Sequence, residues 1–363
     1  MAGQVDGVIG GVDTHKHTHH AAVIDHNGQL LGDREFRADA AGESELCDWL
    51  RAHGPVLAVG IEGTGLYGAG LARHLSSAGM RVVEVNRPNR GARRAQGKSD
   101  RLDAEQAARA VLAATATAVP KSRSGPVEGV RMLRVTRASA VKARTQAFLV
   151  LHGIMIGSPT ALRDELVKLS KRTLVKRCAG LRPETEDLGE LIEKPERLHL
   201  AAAKRTLRDL AHRWLALDTE IKALDRQIKA LVERTAPQLV DLFGVGTELA
   251  GQFLVTAGDN AHRIRNEAAF AKLCGVAPQP ASSGRTTGRH RLSRSGDRAA
   301  NSALYIIAIT RMRHHEPTAP TSPAAPPKAS PNARSSGASS ATSPEKSSTP
   351  YPHPNPRRPL DTT

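Results

Sequence analysis

Short apolar runs of strand length alternate with helix-like stretches in the first third of the chain. Residues 7–36 predict three consecutive strands, and the Asn27-Gly28 dipeptide before the third strand is a hairpin turn signal. The later segments alternate helix and strand, and their predicted ranges are 42–52 (helix), 56–62 (strand), 66–78 (helix), 81–86 (strand) and 100–115 (helix). This order predicts an α/β RNase H-like fold for residues 1–120. A doubly wound α/β domain is also compatible with it.

The middle of the chain carries the most regular apolar repeat. Between residues 203 and 233 the apolar positions alternate spacings of three and four, which is the pattern of four heptads. These positions are Leu207, Leu210, Trp214, Leu217, Ile221, Leu224, Ile228 and Leu231. We therefore predict an α-helical coiled-coil region at 121–236. Its partner stays open, because the helix near 130–150 and a second copy of the chain could both cover the seam.

The C-terminal part of the chain, from 237 to 315, is predicted to be mostly α-helical. The Gly-Val-Gly sequence at 244–246 resembles a helix–hairpin–helix turn, in which backbone N–H groups can hold a phosphate, and a plain corner between two helices is equally compatible. A basic loop is expected at 280–298, and a last helix at 299–313. From 316 to 363 the chain is rich in Pro, Ser and Ala, so this tail should be disordered.

Composition narrows the class of protein. The 363-residue chain has a net charge of +16, which suits a polyanionic partner such as nucleic acid. Aromatic residues make up only 3% of the chain, which argues against a single-strand binder that stacks bases. The three cysteines form no Cys-x-x-Cys pair, so we expect no zinc module or disulfide framework and a reducing, cytoplasmic setting. No apolar run is long enough to span a membrane, so we expect neither a membrane-spanning segment nor a signal sequence.

Four carboxylates from three segments are the candidate catalytic and metal-binding residues. Asp13 and Glu62 each follow an apolar run of strand type, whereas Asp100 and Asp103 begin a predicted helix and share one of its faces. Each acid alone could be structural, since Ser99 is a good helix cap and acids suit a helix N-terminus. Together they would repel one another unless cations neutralise them. Mg²⁺ prefers oxygen ligands, and two-metal phosphodiester chemistry needs acids converging from different elements.

A histidine-rich tract follows the first of these acids. Its members are His15, His17, His19 and His20. Such tracts can bind transition metals. The pattern nevertheless favours exposed strand residues that lie near a bound phosphate.

A serine pair within the basic loop is the second candidate site. Ser282 and Ser283 precede a glycine, and five arginines follow: Arg285, Arg289, Arg291, Arg294 and Arg298. The forked guanidinium group of arginine suits phosphate oxygens, and a serine that attacks DNA needs activation by a base or a metal. The residue types alone favour the simpler interpretation, which is a flexible basic loop that grips the DNA backbone.

These segments together resemble the insertion-sequence transposases of the IS-one-ten type, which are DEDD recombinases that use a structured bridge RNA. The resemblance covers most of residues 7–315 and rests on GVDTHKHTHHAAV, AVGIEGTGLYG, NRPNRGARRAQGKSDRLDAEQAA and LCGVAPQPASSGRTTGRHRLSRSGDRAANSALY. It implies a RuvC-like N-terminal domain, a coiled-coil middle and a C-terminal serine domain. Double-stranded DNA and a guide RNA are the implied partners, in a cytoplasmic protein associated with the nucleoid.

The same resemblance implies roles for single residues. The four acids at 13, 62, 100 and 103 become the ligands of a two-metal Mg²⁺ site. Ser283 becomes the nucleophile that forms a covalent phosphoserine with DNA, and Ser282 stays open because the doubled serine leaves the register ambiguous. Acids of one subunit are expected to work with the serine of another, which implies a homo-oligomer, either a dimer or a tetramer.

The chain departs from the family pattern after RMRHHEPT, where a Pro/Ser/Ala tail replaces a basic helix. The hypothesis is that a frameshift produced this tail, because codons for such a segment can be shifted to encode a basic amphipathic helix. Two other functions also stay open. One is a RuvC-like nuclease that uses the acids and water, and the other is a nucleic-acid binder with purely structural acids.

Overall fold

A five-stranded mixed sheet forms the N-terminal part of the protein. The computed structural model describes residues 7–86, 99–184, 187–282, 287–293 and 295–318. The strands are β1 (Val8–Thr14), β2 (Thr18–Ile24), β3 (Leu30–Arg37), β4 (Val56–Glu62) and β5 (Val82–Val85). Their order is β3-β2-β1-β4-β5, in which β1, β2 and β3 are antiparallel neighbours and β1, β4 and β5 are parallel. The three opening strands and the two later ones confirm the predicted sequence of elements.

In the described part of the chain, three helices cover the two faces of this sheet. They are α1 (Ala40–Ala52), α2 (Ala69–Ser77) and α3 (Asp100–Leu112). Val12 and Ile61 point from the central strands into a core shared with α1 and α2. Ile9 and Ala108 belong to a smaller cluster between the opposite face and α3. Both central strands are therefore buried on two sides, which explains their continuous apolar sequences.

Two glycines allow α3 to lie in direct contact with the central strands. A methyl group on Gly11 would lie 2.1 Å from the carbonyl oxygen of Ala104 and 2.3 Å from the backbone nitrogen of Ala108. A methyl group on Gly60 would lie 2.7 Å from the carbonyl oxygen of Ala107. Carbon atoms do not approach backbone atoms this closely, so only glycine permits the observed packing.

A pair of long helices dominates the middle of the chain. The elements here are α4 (Pro126–Ile156), α5 (Thr160–Leu166), α6 (Lys171–Ala179), a 3₁₀ turn (Leu188–Leu191) and α7 (Pro195–Thr235). Val130 near the start of α4 shares a cluster with Ile228 near the end of α7, and Leu151 shares another with Leu207. The two long helices are therefore antiparallel, and the heptad seam packs against α4 of the same chain. None of the helices in the described part of the chain is long and apolar enough to cross a membrane.

The buried face of α7 differs in detail from the predicted heptads. Five predicted positions are buried, but Leu210, Leu217 and Leu231 are only half-buried. The following residues in each case, Ala211, Asp218 and Val232, are buried instead. The physical reason is that α7 also packs against α6, α9 and the short turns, which broadens its covered face beyond a two-position seam.

A charged residue sits in the middle of this helix pair. Asp218 is buried, and its carboxylate accepts hydrogen bonds from Lys222 on α7 (2.6 Å) and from Arg144 on α4 (2.5 Å). These hydrogen bonds lower the pKa of Asp218. The guanidinium group of Arg144 also lies 5.3 Å from the ring centroid of Trp214. This pairing fixes the register of α4 against α7, because a slip would leave a buried charge without its partner.

Substitutions on α7 test this packing. We expect Ile221→Ala to lower the free energy of unfolding by about 2–4 kcal/mol, because it removes buried methylene groups and leaves a cavity. Leu217→Ala removes a half-buried side chain and should cost less than half as much. Denaturant unfolding of both variants measures the difference. Equal losses for the two variants would contradict the packing of α7 described above.

The C-terminal part is mostly helical, as predicted. It contains α8 (Pro237–Val240), α9 (Thr247–Ala257), a 3₁₀ turn (Ala261–Arg263), α10 (Glu267–Leu273), β6 (Pro278–Pro280), β7 (His290–Leu292), α11 (Arg298–His314) and a last 3₁₀ turn (Glu316–Thr318). The helix predicted at 299–313 is confirmed. The loop predicted at 280–298 is partly wrong, since β6 and β7 pair as an antiparallel ribbon. Prolines at both ends of β6 hide this strand in the sequence. The tail beyond residue 318 lies outside the described residues.

The Gly-Val-Gly turn at 244–246 forms a plain corner between helices. The helix before it, α8, has only four residues, which is too short for a helix–hairpin–helix. Glu248 in the first turn of α9 accepts an ion pair from Arg134 at 2.9 Å, so this helix end already carries an acid. The Arg311 side chain of α11 donates to the Phe243 carbonyl oxygen at 2.9 Å. These contacts favour a structural corner over a phosphate site.

Candidate metal centre

Asp13 and Glu62 lie at the same edge of the sheet. They follow Val12 and Ile61, which are paired in the parallel β1–β4 ladder. The hydroxyl of Thr14 donates to the Glu62 carbonyl oxygen at 2.8 Å, which ties the two strand ends together. Each acid comes two residues after a glycine that contacts α3, and side chains two apart on a strand share a face. Both acids therefore face α3.

The first turn of α3 brings two further acids to this edge. Ser99 caps the helix, since its hydroxyl accepts a hydrogen bond from the Leu102 backbone nitrogen at 3.2 Å. Asp100 and Asp103 follow in the first turn. Asp103 is only 1% exposed, whereas Asp100 is half-buried. A carboxylate as buried as Asp103 is rare unless it is paired or coordinates a metal.

One nitrogen atom joins acids from two different elements. His15 Nε2 lies 3.1 Å from Asp13 Oδ2 and 3.4 Å from Asp100 Oδ1. One ligand atom from each of these three residues lies within 4.8 Å of the others, so the group could hold a single metal ion. The Asp13 side chain is buried, whereas the side chains of His15 and Asp100 are 42% and 46% exposed, so the centre is open to solvent on the side of these two residues.

The electrostatics of the centre favour a bound cation. Burial raises the pKa of Asp13, and the negative charges of Asp103 and Asp100 raise it further, against an opposing effect of His15. The ionised form of Asp13 is therefore energetically unfavourable unless a bound cation neutralises it. A set of carboxylate oxygens that repel one another fits a hard divalent cation such as Mg²⁺ or Mn²⁺.

Asp13→Asn should stabilise the metal-free protein. Because folding raises the pKa of Asp13, the protonated carboxyl contributes stability below its unfolded pKa, and this stability is lost as pH rises through the folded pKa. The neutral amide avoids this loss, and we expect a gain of roughly 0.5–2 kcal/mol at pH 7 in EDTA. Thermal unfolding between pH 4 and 8 measures it. A variant that is less stable than the wild type at pH 7 in EDTA would contradict the raised pKa.

The serine loop is only partly described. Ser282 is exposed at the end of its described segment, and Ser283, Arg285 and Arg294 lie outside the described residues. The remaining predicted phosphate contacts all face solvent, and they are Arg289, Arg291 and Arg298. Arg291 belongs to β7, and Arg298 begins α11. Their exposure leaves these three side chains accessible to a nucleic-acid backbone.

The histidine tract does not act as one group. His19 is 1% exposed, so the expectation of exposed strand residues is wrong for it. Burial lowers its pKa. His20 Nε2 lies 2.9 Å from Asp33 Oδ2 on β3, and His17 is exposed. Only His15 reaches the acids. The signal for this was its position two residues after Asp13, directly beyond the end of β1.

Comparison with known proteins identifies a transposase of an insertion sequence. A DEDD-type transposase model for IS110 matches residues 10–156, and a model described as "Transposase IS116/IS110/IS902 family" matches residues 236–322. The first range contains the four acids predicted from the sequence, and the second contains the serine pair. The chain belongs to the IS110/IS116 family of transposases.

Proteins of three insertion elements are similar to the chain. A 44.8 kDa protein of IS116 from Streptomyces clavuligerus is 27% identical over 88% of this chain and 88% of its own length. A 42 kDa protein of IS900 from Mycobacterium paratuberculosis is 25% identical over 84% and 86%. A 43.6 kDa protein of IS110 from Streptomyces coelicolor is 30% identical over 43% and 40%. A DEDD transposase family implies DNA cleavage or strand transfer with a divalent metal.

Proposed function

We propose that this transposase cleaves and rejoins double-stranded DNA through a serine–DNA intermediate at a Mg²⁺ site. The observation that carries the proposal is the approach of Asp13 on β1 to Asp100 and Asp103 on α3, at the sheet edge where β4 also ends in Glu62. The residues proposed as metal ligands are Asp13, Glu62, Asp100 and Asp103. Acids from three separate elements are what two-metal phosphodiester chemistry requires.

The sheet order supports an RNase H-like, RuvC-like fold for the N-terminal domain. Three consecutive antiparallel strands precede two parallel ones, and β1 lies in the centre. A doubly wound domain would instead be mostly parallel, with a helix between successive strands. The proposed domain boundaries stay as predicted, at 120, 236 and 315.

A metal ion held by these carboxylates would supply charge stabilisation at the phosphate and lower the pKa of the attacking hydroxyl. The carboxylates hold its position, and the buried setting of Asp13 and Asp103 excludes water from one side of the centre. The hydrogen bond from Thr14 to the Glu62 carbonyl oxygen keeps two strand ends in fixed register. A site fixed in this way would orient the reacting phosphate with little rearrangement.

Ser283 is the proposed nucleophile, with Ser282 as the alternative in the doubled serine. Its hydroxyl oxygen forms a bond to phosphorus, the bond from phosphorus to one deoxyribose oxygen breaks, and that oxygen leaves as a hydroxyl. The proposed arginine contacts are Arg285, Arg289, Arg291, Arg294 and Arg298. Their guanidinium groups would neutralise charge that develops on the phosphate in the transition state. Strand exchange then reverses the step on a new DNA end.

A guide RNA and a homo-oligomer complete the proposal. The net charge of +16 suits a complex with nucleic acid. The heptad seam of α7 is covered within the chain, so it does not carry the oligomer. The exposed side of α4 supports one instead, because Met132, Val135, Leu149 and Val150 are 40–60% exposed there. Exposed apolar side chains at two places along one helix favour contact with another protein copy.

A suicide DNA substrate with a nick tests the proposed reaction. The wild type should form a covalent protein–DNA product in the presence of Mg²⁺. We expect Ser283→Ala to abolish the product and Ser282→Ala, the matched control, to retain it. Neither serine substitution removes an arginine contact, so the affinity of the protein for DNA should change little.

The other functions give different results in the same assay. Cleavage without a covalent product, retained in both serine variants, would show a nuclease that uses water. DNA binding without any Mg²⁺-dependent cleavage, unchanged in Asp13→Asn, would show a non-catalytic binder. Either result would contradict the proposed serine intermediate.

A further inference from the structure

His15 occupies the position of a third ligand between Asp13 and Asp100. Its Nε2 atom is within 3.4 Å of a carboxylate oxygen from each of two elements, the end of β1 and the first turn of α3. The backbone N–H of His15 donates to the Thr18 carbonyl oxygen at 3.0 Å, so the β1–β2 hairpin holds the residue in place. The position of the imidazole next to the acids is therefore set by the backbone of this hairpin.

A simple charged pair does not account well for this arrangement. The side chain of His15 is 42% exposed, and an ion pair made by such an accessible side chain contributes little to stability. The same nitrogen faces two acids at once, which is where a cation shared by those acids would be held. His17, two residues further on, is exposed and belongs to no such group among the described residues.

A nitrogen ligand changes which metal a site prefers. Mg²⁺ takes oxygen ligands and water almost exclusively. Imidazole is a better ligand for Mn²⁺ than for Mg²⁺, and it is a good ligand for the later transition metals. A centre with several carboxylates and one imidazole therefore favours Mn²⁺ over Mg²⁺ more strongly than carboxylates alone. His15 is thus in a position to set the identity of the metal.

We propose that His15 Nε2 coordinates the metal held by Asp13 and Asp100, and that this ligand shifts the preference of the centre towards Mn²⁺. The inference deepens the proposed function and rests on its metal site. The residue binds the metal directly, and it is neither a phosphate contact nor a hydrogen-bonding clamp.

Pulsed electron paramagnetic resonance of the Mn²⁺-loaded protein tests the proposal without any activity measurement. The wild type should show nitrogen modulation from a directly bound ¹⁴N, and labelling histidine with ¹⁵N should shift it. His15→Ala should abolish the modulation, and His17→Ala, the matched control, should retain it. Calorimetry should show Mn²⁺ affinity falling about tenfold or more in His15→Ala, with Mg²⁺ affinity changing by much less.

The possible outcomes distinguish a failure of the His15 ligand from a failure of the metal site itself. Mn²⁺ that binds through Asp13 but shows no ¹⁴N modulation overturns the role of His15 and leaves the metal site intact. Equal losses of Mn²⁺ and Mg²⁺ affinity, rescued by His15→Gln, would show a clamp and also overturn it. Mn²⁺ binding that is unaffected by Asp13→Asn would instead overturn the proposed metal site itself.

Discussion

Asp103→Asn is expected to lower the rate of Mg²⁺-dependent DNA cleavage by about a thousandfold or more, because Asp103 is a proposed metal ligand and such a ligand contributes several kcal/mol to the transition state. The carboxylate is 1% exposed and lies close enough to Asp13 to raise its pKa. The amide has the same shape but lacks the charge that holds a cation. The fold should therefore persist while the chemistry is lost.

Single-turnover cleavage of target DNA measures this effect, and thermal unfolding shows whether the fold is retained. Asp48→Asn on α1 is a suitable control, since the Asp48 side chain is 80% exposed and belongs to the opposite face of the sheet. We expect it to cleave at the wild-type rate. An Asp103→Asn protein that keeps more than about a tenth of the activity would show that this acid is structural.

Gly11→Ala should have the second-largest effect, on both stability and activity. The added methyl group would meet the Ala104 carbonyl oxygen and the Ala108 backbone nitrogen of α3. Backbone atoms of a helix cannot rotate away, so α3 must shift as a body. We expect a loss of about 1–3 kcal/mol of stability from this overpacking. The shift would also move Asp100 away from Asp13, and cleavage should fall by about a hundredfold.

Gly153→Ala provides the matched control for this substitution. Gly153 lies exposed in α4, and a methyl group there would meet nothing within 4 Å. Alanine in a helix interior is more favourable than glycine by roughly 0.5–1 kcal/mol, so this variant should be slightly more stable and fully active. Denaturant unfolding and DNA cleavage of both variants give the comparison. A Gly11→Ala protein with normal stability and cleavage would contradict the close contact between β1 and α3.

The strands of the N-terminal sheet could be predicted because their apolar patterns are local. The acids could be selected for the same reason, since Asp13 and Glu62 follow strand-like runs and Ser99 caps the helix of the other two. Their convergence on one site was a hypothesis from the sequence, but the geometry that brings α3 to the sheet could not be predicted, because it depends on the contact of Gly11 and Gly60 with α3. A glycine in a predicted strand does not indicate which backbone segment will pack against it.

Other features depend on long-range packing in the same way. The seam of α7 predicts a partner helix but not which one, and the burial of Asp218 in place of Leu217 follows from neighbours on several sides. The β6–β7 ribbon is hidden by its prolines. The sequence showed that His15 follows Asp13 closely. It did not show that Asp100, from the distant helix α3, lies next to the same imidazole nitrogen. Ser283, the proposed nucleophile, lies outside the described residues and stays a prediction.

The position of bound metal in crystals grown with Mn²⁺ and a DNA substrate is the most direct test of the central claim. Anomalous scattering would locate the ions independently of the protein coordinates. We predict a peak at the β1–β4 edge in contact with Asp13 and Asp100, next to Glu62 and Asp103. Well-ordered carboxylates without an anomalous peak between them, or peaks found only elsewhere on the protein, would contradict it.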